Sequence, residues 1–269
     1  MTIGSVLREA PLRFDLEDYE SPASPEILVA GCGTGQHALV TASRFLNARV
    51  LAVDLSLGGL SYATRKTREL GVSNIDYAQA DILELASLGR RFDLIESVGV
   101  LHHMEEPSAG WQILTNLLRR GGVMKIGLYS EIARQDIVSG RALIAEQGLT
   151  PSAQNISRCW QDIIAKAKAG NKKMASICKK MDFFSMSECR DLLFHPQEHR
   201  FTLLQIELLL AALKLNFLGF EMRNPDVIRK FEKFHSGRVA PTSLSLWHEY
   251  ELENPDTFQG MYQFWCRKC

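Results

Sequence analysis

From residue 26 onward, short apolar runs alternate with amphipathic stretches. "EILVAG" passes into "QHALVTASRFLN" and "RVLAVDLS" into "LGGLSYATRKTRELG". Apolar runs then recur in "IDYAQADI", "FDLIESVGV" and "VMKIGLYS", with a helical stretch near "GWQILTNLLRRGG" before the last of them. Apolar runs separated by helices of about 10 to 15 residues mark βαβ units on a parallel sheet buried on both faces. The pattern over residues 26 to 130 predicts the five-stranded start of a doubly wound, Rossmann-like α/β fold.

After Ser130 the strand pattern stops for about 85 residues, and "EIARQDIVSGRALIAEQG", "SAQNISRCWQDIIAKAKAG" and "KKMASICKKMD" read as helices. A helical insertion late in such a sheet is placed to cover the crevice at the carboxyl ends of the strands. Further on, Thr202 with Gln205 three residues later forms a capping-box pattern ahead of "LLQIELLLAALKL". Two late strands, "NFLGFEM" and "GMYQFWCRK", flank a helix near "PTSLSLWHEYELEN" and would complete seven strands. The expected organisation is a cofactor-binding half at 1–130, a helical lid or substrate-recognition segment at 131–210, and closing strands and a helix at 211–269.

Composition narrows the functional classes. The chain has 269 residues, 46% hydrophobic, with 31 Lys plus Arg against 31 Asp plus Glu. That balance leaves no global field to favour nucleic acid or an anionic membrane. No run reaches the roughly 18 apolar residues of a spanning helix, so the chain reads as soluble and cytoplasmic. Its six cysteines lack paired C-x-x-C spacing, and reduced structural thiols with no metal site are expected.

Gly31, Gly33 and Gly35 follow the first strand. Glycines there permit positive φ and let backbone pass close to a ligand, while the next helix offers free N–H groups. A dinucleotide fingerprint would be G-x-G-x-x-G, but Gln36 stands where it needs glycine. Asp54 ends the second strand about 20 residues past the loop, where a carboxylate can take both hydroxyls of a ribose. Asp81, after the third strand, could with the Ile82 N–H pair with the amino edge of an adenine.

At this point the sequence resembles the class I S-adenosylmethionine-dependent methyltransferases, through "VAGCGTG", "VLAVDLS", "AQADI", "FDLIESVGVLHHMEEP" and "LLRRGGVMKIGLYS" in register. The resemblance implies S-adenosyl-L-methionine as cofactor. It would be held by Gly31, Cys32, Gly33 and Gly35 under the methionine and ribose, Asp54 and Leu55 at the ribose, Asp81 and Ile82 at the adenine, and Glu96, Ser97 and Val98 on the sulfonium side. One departure stands out: the acid usual two residues before the first glycine is Val29 here, which leaves Glu96 as a substitute for the methionine amino group. The second half looks like the C-terminal region of a bacterial subgroup whose longer members carry tetratricopeptide repeats. Little chain precedes the glycine loop, so a helix closing over the cofactor is expected to come from residues 1 to 20 or to be absent.

Methyl transfer is largely a matter of alignment, helped by a base when the acceptor is protonated. His102 and His103 in "VLHHMEEP" follow the fourth strand; His103 is a candidate base or loop-ordering residue, and Tyr129 a candidate lining of the acceptor site. No Asn-Pro-Pro-Tyr or Asp-Pro-Pro-Tyr motif appears, which argues against amide and nucleic-acid amino acceptors. His195, Glu198 and His199 could turn toward the crevice, and six lysines between 166 and 180 read as a solvated face. The expected activity is methyl transfer to O or N of a small molecule, with a protein acceptor second, nucleic acid and membrane disfavoured, and oligomeric state open. The rivals are a non-catalytic S-adenosylmethionine-binding scaffold and an NAD(P)-dependent Rossmann oxidoreductase.

Overall fold

A computed structural model describes residues 1–269 apart from 10, 11, 13, 15–18, 223, 225 and 237–240. Seven strands among the described residues form one sheet: β1 (Glu26–Ala30), β2 (Arg49–Asp54), β3 (Ile75–Gln79), β4 (Phe92–Val98), β5 (Leu118–Tyr129), β6 (Leu215–Phe220) and β7 (Met261–Lys268). Their order is β3-β2-β1-β4-β5-β7-β6, with β7 antiparallel to both neighbours. The chain winds outward from β1 through β2 to β3, then returns to place β4 on the other side of β1. That reversal opens a crevice at the carboxyl ends of β1 and β4, where such sheets bind ligands.

The helices are α1 (Ile3–Arg8), α2 (Gln36–Arg44), α3 (Leu57–Glu69), α4 (Pro107–Leu117), α5 (Gln135–Glu146), α6 (Ala153–Lys168), α7 (Lys172–Ile177), α8 (Met186–Phe194), α9 (Leu203–Ala212), α10 (Asp226–Phe234) and α11 (Leu244–Glu253). Strand alternation splits the core into two layers. Leu28, Ile95, Met124 and Cys266 share a cluster with Trp111 of α4 and Ile206 of α9, whereas Ile27, Val29, Leu94, Val123 and Trp265 pack with α1 and α2. The Thr202–Gln205 capping box forms as the spacing implies and starts α9. β5 differs from its pattern: α4 ends at Leu117, and the strand starts at Leu118 inside the stretch that reads as helix. Gly121 at φ 75° and a register shift between Phe92 and Leu94 accommodate that irregular start. α1 docks at the far end of α2 from the glycine loop, its terminal amine donating to the Arg44 carbonyl at 3.0 Å. Of residues 1 to 20, the stretch in which a covering helix was expected if present, residues 10, 11, 13 and 15–18 lie outside the described residues.

Helices α5 to α8 carry a core of their own, built on Ile137, Ile156, Ile163, Ile177, Phe183 and Leu193. α9 instead packs on the sheet with α11. The chain leaves the sheet at Ser130 and returns at Phe201, and these two stems pair: Phe201 N donates to Tyr129 O and Glu131 N to Phe201 O, both at 2.9 Å. Beside them Arg134 grips Glu198 with two hydrogen bonds of 3.2 and 2.7 Å, and the side chains are only 6% and 0% exposed. Arg200 closes the clasp on Glu131 at 2.9 Å.

Removing one partner of a buried ion pair strands the other charge. Glu198→Ala is therefore expected to lower the unfolding free energy by about 3–5 kcal/mol in denaturant titration. A loss of less than about 1 kcal/mol, the level of an exposed pair, would show that the clasp is solvated.

Candidate functional site

The turn from β1 to α2 puts Gly31, Gly33 and Gly35 at φ of 80°, 54° and 83°. A side chain at each would meet something different. A Cβ on Gly31 would lie 2.2 Å from Val100 Cγ2 and one on Gly35 2.5 Å from Ala63 Cβ, but a Cβ on Gly33 would meet no atom within 4 Å. The outer glycines thus let the loop pack against its neighbours, and the middle one leaves an open face on the crevice. Its N–H donates to Asp54 Oδ2 at 2.7 Å, and Ser56 N donates to Oδ1 at 2.8 Å. Each carboxylate oxygen keeps lone-pair capacity for a further donor.

Asp81 caps the 3-10 turn Ile82–Leu88, accepting from Leu83 N at 2.9 Å. Asp81, Asp54 and the glycine loop thus stand in a row at the carboxyl ends of β3, β2 and β1, and β4 follows with Glu96, Ser97 and Val98. Leu55 is 65% exposed beside Asp54, and Ile82 is buried. Cys32 is buried in the loop; desolvation and the nearby Asp54 charge push its thiol up to about 12, so it stays protonated filler.

Val29 and Glu96 are register partners, as are Glu96 and Lys125. Glu96 is fully covered. It accepts from Thr41 Oγ1 at 2.5 Å and lies 3.1 Å from His37 Nε2, both on α2. Burial alone would raise its carboxyl, but the hydrogen bond and charge of His37, the Lys125 charge and Thr41 outweigh that and hold it below the usual range. Lys125 in turn pairs with Glu221 at 2.8 Å.

The second polar centre joins the loop after β4 to the returning stem. His102 is buried and stacks on Tyr129 at 3.6 Å, while the Arg134 guanidinium lies 3.5 Å from the Tyr129 ring centre. Desolvation and neighbouring positive groups take the His102 imidazole down to about 2, so it is neutral. His103 Nδ1 faces the Gln197 carbonyl at 2.9 Å, and its ring lies 3.8 Å from that of His195. Since a carbonyl only accepts, Nδ1 carries the proton and Nε2 keeps a lone pair. Burial holds the His103 pKa below the ordinary histidine value. His199 N donates to His102 O at 2.8 Å, so "FHPQEHRF" does turn inward; Glu198 serves the clasp. Tyr129 pairs with Met261 across β5 and β7. Beyond Met261 a cavity of about 560 Å³ opens, lined by Glu221, Met222, Tyr250, Phe258 and Gln263 among others.

A family model described as a methyltransferase domain matches residues 27–122. An uncharacterized protein of Synechococcus sp. is 32% identical over 85% of this chain and 56% of its own length. Malonyl-[acyl-carrier protein] O-methyltransferase of Acetivibrio thermocellus is 28% identical over 46% of this chain and 42% of its own. The chain thus spans about half the length of these relatives. Among solved structures, PKMT2 from Rickettsia typhi in complex with AdoHcy aligns over 91% of this chain and 49% of that one, with a TM-score of 0.70 at 14% identity, a likeness of fold. Residues 27–122 thus carry a domain of the class I S-adenosylmethionine-dependent methyltransferases.

The cofactor of this family is S-adenosyl-L-methionine, and the open face of Gly33 beside Asp54 suits it. Among the described residues no cluster of metal-ligating side chains exists and no helix is long and apolar enough to cross a membrane. Of the six lysines between 166 and 180, Lys180 pairs with Asp136 at 3.3 Å and the other five are exposed. Two features escaped the sequence pattern: His37 as a partner of Glu96, and Arg134 as a partner of Glu198. An acid amid apolar strand residues, as Glu96 is in "FDLIESVGV", was the one available signal that a buried partner must exist.

The two kinds of glycine separate experimentally. Gly33→Ala is expected to cost only the left-handed backbone, about 1–2 kcal/mol, whereas Gly31→Ala must also displace Val100 and is expected to lose more in the same denaturation assay. Equal losses would contradict the different surroundings of the two positions.

Proposed function

We propose that this chain transfers the methyl group of S-adenosyl-L-methionine to an oxygen or nitrogen of a small-molecule acceptor. The observation that carries the reading is the row of groups along one sheet edge: Asp81, Asp54 and the open glycine at 33, each at the carboxyl end of a successive strand. In it Asp81 and Ile82 take the adenine, Asp54 and Leu55 the ribose, and Gly31, Cys32, Gly33 and Gly35 the backbone-lined stretch beyond. Glu96, Ser97 and Val98 form the sulfur side. When bound, the cofactor supplies an electrophilic methyl group on a sulfonium, so no further activation of the donor is needed.

What the chain's own residues contribute is placement and a proton acceptor. Val98, Gly127 and Gln263 lie in one register row across β4, β5 and β7, which leads from the sulfur side to the cavity behind Met261. Its volume of about 560 Å³ suits a small ligand, which favours a small acceptor over a protein. His103 is assigned as the base: its Nδ1 proton is committed to Gln197, and its depressed pKa keeps Nε2 unprotonated at neutral pH. Tyr129, clamped between His102 and Arg134 and with its hydroxyl raised by burial, is assigned to lining the acceptor site. Gln36 at the start of α2, where a dinucleotide site needs glycine, argues against nicotinamide chemistry.

Calorimetric titration is expected to show S-adenosylhomocysteine binding far more tightly than NAD; the reverse order would overturn the reading. Asp54→Asn should weaken S-adenosylhomocysteine about 10-fold or more, the worth of a hydrogen bond to a charged group, and an unchanged affinity would misplace the ribose.

For the base, His103→Ala should lower kcat about 10²–10⁴-fold and leave cofactor affinity alone, whereas parallel loss of both would make His103 structural. Because its pKa is lowered, the unprotonated form persists as pH falls through the ordinary histidine range. Turnover should hold below pH 6.5, about the unperturbed value, and decline only on further acidification.

A further inference from the structure

The amino ends of the parallel strands, at the edge of the sheet opposite the glycine loop, carry a different chemistry. β1 begins at Glu26 and β2 at Arg49, β4 starts directly after Arg90 and Arg91, and β5 starts one residue before Arg119. Gly89, at φ 65°, ends the 3-10 turn ahead of β4, and the two arginines follow it. Together Glu26, Arg49, Gly89, Arg90, Arg91 and Arg119 line a cleft of about 650 Å³.

The acids at this edge are already committed. Glu26 accepts from Arg49 Nε on one oxygen at 2.5 Å and from Arg90 Nη2 on the other at 2.6 Å. Burial would raise its carboxyl, but the two guanidiniums outweigh that and hold it below the usual range. Asp93, the second residue of β4, accepts from Arg119 Nη1 at 2.6 Å and from the Glu26 N–H at 2.8 Å. Four arginines thus meet two carboxylates, and two positive charges are left over. Among the described residues Arg91 pairs with no acid; its guanidinium reaches the Arg90 carbonyl at 3.5 Å. Lys268 feels that charge: burial first and Arg91 second hold its ammonium below the usual range.

We propose that this cleft binds the phosphate chain of a small oligophosphate ligand, at a site separate from the methyl-transfer crevice. A guanidinium is always charged, and its planar fork matches phosphate oxygens in pairs. The side chains of Arg49, Arg90 and Arg119 are 74%, 41% and 47% exposed, and each engages its acid through a single nitrogen. Their remaining N–H groups, with those of Arg91, are donors for an anion in the cleft. The acids hold the arginines in place and, with both Glu26 oxygens occupied, do not compete for them. A volume of about 650 Å³ is that of a small-ligand site, which favours an oligophosphate over the backbone of a nucleic acid.

The test is calorimetric titration of the full chain with inorganic tripolyphosphate at low salt. The wild type should bind it, less tightly as salt is raised, and S-adenosylhomocysteine should not displace it. Arg91→Ala removes an exposed guanidinium that neutralises no acid, and should weaken tripolyphosphate about 10-fold, the scale of a charge-assisted hydrogen bond. Arg119→Gln should cause a similar loss; should that variant not fold because Asp93 lacks its partner, Arg91→Ala decides alone. Replacing Lys172 and Lys173 with Gln, on the exposed basic stretch of the helical excursion, should change nothing. A wild type that does not bind, an unchanged affinity in Arg91→Ala, an equal loss in the lysine variant, or displacement by S-adenosylhomocysteine overturns the assignment. So does a short DNA duplex that binds through Arg91 more tightly than tripolyphosphate, because the cleft would then follow a nucleic-acid backbone.

Discussion

The site depends on one backbone constraint: the chain must leave β1, pass through three left-handed glycines and enter α2 without room for a side chain at two of them. Val100 fills the space over Gly31 and Ala63 the space over Gly35. Held from both sides, the loop directs the Gly33 N–H at Asp54 and the start of α2 at Glu96. The same packing reaches α3, where a Cβ on Gly59 would come 2.8 Å from the Gly33 carbonyl oxygen. The loop therefore fixes β2, α2 and α3 relative to one another, and the row of acids exists because those elements cannot slide.

The helical excursion is governed by a second, electrostatic constraint. Its helices have their own core, so nothing apolar within them dictates where they sit on the sheet. The stems do: three arginines, 134, 141 and 200, converge on the buried Glu198, at 2.7, 3.9 and 3.7 Å. Burying that many charges is costly unless each is paired, and the pairing fixes one geometry. Gln197 and His199, on either side of Glu198, are thereby brought against His103 and the His102 backbone. The structural clasp and the proposed base are in consequence parts of one segment.

Much of this was legible in the residues, for a physical reason. Burial on both faces of a parallel sheet demands continuous apolar runs, and those runs mark β1, β2 and β4 in the sequence; the spacing of Thr202 and Gln205 is a local interaction and forms as read. The Gly31, Gly33 and Gly35 spacing likewise reflects a local backbone requirement. What could not be read is non-local. His37 and Glu96 are 59 residues apart and Arg134 and Glu198 are 64 apart, taking the differences of their numbers. Neither pair has a spacing that a helix or strand would reveal. The start of β5 was misread because "LLRR" continues an apolar helical pattern, and only Gly121 and the bulge against β4 show where the strand begins.

The central claim is that one sheet edge holds an adenosine with a methionine tail. A crystal structure of the full chain with S-adenosylhomocysteine tests it most directly. The account predicts the adenine at Asp81, the ribose hydroxyls on Asp54 and the sulfur beside Val98. A ligand lying with its ribose away from Asp54, or in the cavity behind Met261 instead of over the glycine loop, would contradict it.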